Sequence, residues 1–134
     1  MTHYELRYLL QKMYPDAVYG RDFFTGHYLD KEGDDATQVG EPFIHRWKLE
    51  TAQPSPEQLQ AWWATYQGEI LTTMQADHAR YQRTQLLADA DVRVARAQDQ
   101  GDAEAEQKAR QYRQALRDVP QQPGFPANIT WPTL

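Results

Sequence analysis

The 134-residue chain contains no cysteine, which removes disulfides, thiolate metal sites and cysteine nucleophiles together. No apolar run approaches the ~20 residues needed to span a bilayer, and the N-terminus lacks a signal-peptide pattern. A soluble intracellular product without a membrane partner is expected. Excess positive charge is missing as well. The net charge is -5, so the chain as a whole offers no electrostatic reason to bind nucleic acid. Arg80, Arg83, Arg93, Arg96, Lys108, Arg110, Arg113 and Arg117 cluster, but acidic residues alternate with them, the pattern of a solvated helix face.

Reactive motifs are also lacking. There is no G-x-S-x-G elbow, no phosphate-binding glycine loop and no H-E-x-x-H. His3, His27, His45 and His78 fall in different expected elements, and the adjacent Asp77 and His78 diverge on a helix by about 100°. Asp30-Lys31-Glu32-Gly33-Asp34-Asp35 lacks the alternating carboxylates and final Glu of a calcium loop and reads as an exposed hairpin tip. The residues therefore point to no catalytic site, no metal and no cofactor, and the chain is expected not to be an enzyme.

Aromatic residues make up 12% of the chain, while its mean hydropathy is only -0.86. That pairing implies a modest core with aromatic anchors concentrated in a few places. The clearest element starts at Ser55-Pro56-Glu57-Gln58, which reads as N-cap, N1, N2 and N3. Leu59, Trp62, Trp63, Tyr66, Ile70, Met74 and Tyr81 then recur at helical spacing. Of the two tryptophans one is expected in the core. Gly101 fits a helix C′ position and Asp102 the N-cap of a return helix, striped by Ala105, Ala109, Tyr112, Leu116 and Val119. Small residues at Ala90, Ala97, Ala105 and Ala109 allow close approach, within a hairpin or in a homo-oligomer.

Upstream, Thr2-His3-Tyr4-Glu5 is a capping-box pattern opening a short helix that ends at Tyr14-Pro15. Segments 18–24 and 43–49 read as an antiparallel pair, with Phe43, His45, Trp47 and Leu49 alternating. Downstream of Pro120 the prolines forbid a continuous helix, and Phe125, Ile129 and Trp131 are too apolar for an idle end. Ile129-Thr130-Trp131 has the composition to add a strand to a sheet edge. The expected fold is α+β: an α+β head (1–53) with a short N-terminal helix and a small antiparallel sheet, a helical hairpin (54–119) and an extended Pro-rich tail (120–134).

Two stretches carry a family resemblance. Tyr14-Pro15-Asp16-Ala17-Val18-Tyr19-Gly20-Arg21-Asp22-Phe23, then Ile44-His45-Arg46-Trp47-Lys48-Leu49 and Gln53-Pro54-Ser55-Pro56-Glu57-Gln58-Leu59, resembles the N-terminal part of XkdW-like phage proteins. The acidic loop between Phe24 and Phe43 departs from the short turn of that family, and Ser55 stands where Thr is usual. The C-terminal Tyr112-Arg113-Gln114-Ala115-Leu116-Arg117-Asp118-Val119-Pro120, closing with Ile129-Thr130-Trp131-Pro132, resembles the end of small tailed-phage proteins known as tail fibre assembly or tail assembly chaperones. The resemblance implies a tail fibre assembly chaperone acting in the host cytoplasm, whose partner is a tail fibre or another tail protein. The alternative is a structural tail or baseplate component retained in the virion. Partner contacts are expected at Tyr81, Leu87, Val94, Tyr112 and Leu116 of the helical seam and at Phe125 and Trp131 of the tail.

Overall fold

The computed structural model describes residues 1–134. The element order is α1 (His3–Met13), β1 (Phe23–Leu29), β2 (Gln38–Trp47), α2 (Pro56–Gln100), α3 (Ala103–Asp118) and a 3-10 turn at Val119–Gln121. The fold is α+β, and the chain forms two compact units, Met1–Leu71 and Thr72–Leu134. The division lies inside α2, not at the proline-rich segment 53–56. Spacing within that helix marks the same place. Leu59 and Ile70 are buried, then Ala76, Ala79, Ala90, Val94 and Ala97. The interval of six from Ile70 to Ala76 breaks the three-four ladder, so the second series begins in a new phase.

In the first unit, Thr2 Oγ1 accepts the Glu5 amide at 3.2 Å and Glu5 Oε2 accepts the Thr2 amide at 2.7 Å, completing the capping box of α1. The helix buries Leu6, Leu9 and Leu10. It is fixed to the sheet where Thr25 Oγ1 donates to the His3 carbonyl at 3.2 Å and where the His3 and His27 rings stack at 4.0 Å. Burial and the neighbouring His27 both hold the His3 pKa below its ordinary value. Phe23 is fully buried between Tyr19 (centroids 5.6 Å apart) and Trp47 (6.3 Å). Against the expectation of one core tryptophan, neither is fully buried: Trp62 and Trp63 are both half-buried.

The sheet differs from the sequence expectation in register. The first strand is Phe23–Leu29, not 18–24, and the second starts at Gln38. Residues 18–22 turn instead, because Asp22 Oδ2 accepts the Val18 amide at 2.8 Å while the Arg21 and Asp22 amides donate to the Val18 carbonyl. The alternation from Phe43 to Leu49 is interrupted as well. Phe24 pairs with Arg46 and Thr25 with Ile44, so His45 lies in a bulge and is exposed. The acidic loop is the exposed tip of the hairpin, tied by Asp30, whose carboxylate accepts from the Thr37 amide and hydroxyl.

The Asp22 turn carries a pH prediction. Hydrogen bonds from Arg21 and from the Val18 amide lower its pKa from 3.8 to about 2. The carboxylate therefore favours the folded state fully above pH 3.8, and that contribution is lost as pH falls through about 2. Asp22→Asn is expected to lower the thermal midpoint at pH 7 and to match the parent near pH 2. Unfolding curves at both pH values check this; an equal difference at both would refute the assignment.

The second unit is a hairpin. Gly101 turns the chain with φ +67, a conformation that favours glycine, and Asp102 Oδ1 accepts the Ala105 amide at 2.9 Å to start α3. The two helices run antiparallel. Gln98 Nε2 donates to Glu106 Oε1 (3.0 Å), Arg113 Nη1 to Asp91 Oδ1 (2.8 Å) and Arg83 Nη1 to the Arg117 carbonyl (3.4 Å). Between these bonds Ala90, Val94 and Ala97 of α2 are buried, with Ala79 one turn before them, as are Ala109, Leu116 and the following Val119. Ala105, expected on the seam, is only half-buried.

Candidate partner-binding surface

The tail of the second unit is more ordered than an extended strand. After the 3-10 turn it makes consecutive turns, and Phe125–Pro126 is a cis peptide bond. The Gln122 side chain clamps the far end: its Nε2 donates to the Thr130 carbonyl at 2.8 Å and its Oε1 accepts the Thr130 amide at 2.9 Å. Ile129-Thr130-Trp131 forms no strand, because both main-chain groups of Thr130 are taken by this one side chain.

Where the tail lies against the hairpin it leaves open grooves. One, of about 490 Å³, is lined by Met74, His78 and Gln82 of α2 and by Pro126, Ile129 and Trp131 of the tail. A second, of about 330 Å³, lies between Tyr112 and Ala115 of α3 and Pro132 and Leu134. The Arg80 guanidinium stands 5.9 Å from the centre of the Phe125 ring, a cation–π distance. The tail thus presents half-buried apolar rings along a groove.

The expected contact residues separate into three groups. Tyr81 is 67% exposed and available to a partner. Leu87, Tyr112, Phe125 and Trp131 are half-buried, each with one side still open. Val94 and Leu116 must be corrected: at 5% and 0% exposure they close the hairpin itself and offer nothing to a second protein. The sequence leaves the seam open to a hairpin or to a second chain, and the burial of these two residues shows the hairpin closing over them. Met74 and His78 were missed as lining residues, since only the course of the tail brings them to a groove.

Charge on the hairpin is locally balanced. Arg80 pairs with Asp77, Lys108 with Glu104, Arg110 with Glu106 and Arg113 with Asp91. The hydrogen bond from Arg110 is the main cause holding the Glu106 pKa below its ordinary value. Such exposed pairs contribute little individually. No group of three or more His, Asp or Glu side chains is placed to hold a metal ion, and no helix is long and apolar enough to cross a membrane.

Gly124 sets the tail turn. A Cβ there would collide with the backbone carbonyl of Asn128, whose amide donates back to the Gly124 carbonyl at 2.7 Å. Backbone cannot rotate away as a side-chain tip can. Gly124→Ala is therefore expected to cost about 1–3 kcal/mol and to release the tail. Faster amide exchange at Asn128 and Thr130 checks this; unchanged exchange would contradict it.

Residues 6–70 match the family model for the XkdW protein. Residues 76–134 match the model for the phage tail assembly chaperone protein. The chain is a phage tail-associated, XkdW-like protein with a chaperone-type C-terminal part. The two matches meet at residues 71–75, where the two compact units meet and the buried ladder of α2 changes phase. The chaperone-type part is therefore the whole second unit, hairpin and tail together. A role in phage tail assembly, in contact with other tail proteins, follows. No similar curated protein and no similar solved structure is found.

Proposed function

We propose that the chain is a tail fibre assembly chaperone, which binds the receptor-binding fibre in the host cytoplasm and assists its folding, trimerisation or attachment. The observation that carries the reading is the tail of the chaperone-type part, with Ile129 and Trp131 half-buried along an open groove and Phe125 half-buried beside Arg80. Aromatic side chains poised at a groove bring large contact area at little cost in chain ordering, which suits recognition of apolar surface on an unassembled fibre. The reading assigns no catalytic step and no cofactor. Its work is binding, through side chains that carry no reactive group.

The test is co-expression with the candidate tail fibre, followed by affinity capture. The reading predicts a complex in lysate and no copies of the chain in mature particles. Copies at fixed stoichiometry in the particle would make it a structural tail or baseplate component instead.

A further inference from the structure

The second half of α2 has an outward face that α3 does not cover, and of its members only His78 borders the tail groove. His78, Tyr81, Gln85, Ala88, Val92 and Ala95 are all exposed and follow one another at intervals of three and four. That is the seven-residue repeat by which two helices pack along a shared seam. The residues that close the hairpin, Ala79, Ala90, Val94 and Ala97, occupy other heptad positions, so the outward seam is not part of the internal core. Tyr81 and Val92 are 67% and 57% exposed, while Ala88 and Ala95 permit close approach.

We propose that this face pairs with the same face of a second copy, the two α2 helices running antiparallel. The seam is self-complementary in one register. Antiparallel helices meet at equal height where residue numbers add to a constant. Setting Tyr81 against Val92 of the second copy also sets His78 against Ala95 and Gln85 against Ala88. This register alone brings the two large apolar side chains of the seam together, and it does so twice about the two-fold axis. Charge agrees. On the two flanks of the seam, where each side meets the same side of the second copy, Asp89 neighbours Gln82, Asp91 neighbours Thr84, Asp77 neighbours Gln98 and Arg96 neighbours Gln75, so no like charges face each other along the seam. The apolar contribution is limited to two residues per copy, so the dimer is weak and dissociates on dilution. Tyr81 is also an expected fibre contact, so self-pairing and fibre binding compete for it, and the partner it cross-links to tells the two apart.

A chain without cysteine makes the test clean. Full-length Tyr81→Cys and Val92→Cys variants are purified separately, mixed and oxidised; both sites are exposed, and circular dichroism confirms that each variant is folded. The mixture is expected to give at least five-fold more disulfide dimer than either variant alone. Light scattering of the unmodified chain is expected to rise from 15.6 kDa toward twice that mass with concentration, and Val92→Asp to abolish the rise. Monomer at every concentration, or equal cross-linking of each variant with itself, would overturn the proposal. So would cross-linking of Tyr81→Cys to a co-expressed tail protein but never to Val92→Cys, since the face would then belong to a client.

Discussion

Removal of residues 120–134 is expected to abolish capture of a tail fibre while leaving the Met1–Leu71 unit folded. The first unit owes its core to Leu6, Leu9, Leu10, Phe23 and Leu59, and no residue of the tail belongs to it. The deletion removes Phe125, Ile129 and Trp131 together with one wall of each groove. Aromatic anchors of this kind are worth about 2 kcal/mol or more each, so the loss should exceed about 100-fold in affinity. Affinity capture with near-ultraviolet circular dichroism of the truncated chain reads both halves of the expectation. Trp131→Ala separates the contribution of the anchor from that of the hairpin. It should weaken capture about ten-fold or more while leaving the melting of α2 and α3 nearly unchanged. Normal capture by the truncated chain would show that the tail is not the recognition element.

The second large effect is expected at Leu116. It is fully buried where α3 returns along α2, near the bond from Arg83 to the Arg117 carbonyl. Leu116→Ala deletes buried methyl groups and leaves a cavity, costing about 2–5 kcal/mol of stability in the Thr72–Leu134 unit. Tyr81→Ala, on the exposed face, should change stability by no more than about 0.5 kcal/mol. Denaturant midpoints of the two variants check the contrast. Equal effects would mean that the hairpin is not closed in solution and that Leu116 is as free as Tyr81.

Local chemistry was legible in the sequence wherever a few adjacent residues decide a conformation. Thr2 and Glu5 form their reciprocal cap, Ser55 Oγ accepts the Gln58 amide at 3.2 Å, and Gly101 with Asp102 turns the chain. The α+β composition followed from those signals. Strand limits did not, because the Asp22 side chain captures the Val18 amide and the bulge at His45 resets the alternation. Neither effect leaves a periodic trace. The contact surface was the least legible part. Tyr81 and Val94 of α2 and Leu116 of α3 all read as apolar helix positions, and only the return of α3 decides which of them is buried. The change of phase between Ile70 and Ala76 was visible in principle, but it required knowing which alanines are buried.

Fibre recognition by the chaperone-type part is the central claim, and quantitative co-purification tests it most directly. The intact chain is co-expressed with the candidate tail fibre, captured by affinity, and weighed by mass analysis alongside mature particles. A stoichiometric complex with the fibre, together with absence from the particle, is the predicted result. No complex with the fibre under conditions where both proteins are soluble would contradict it.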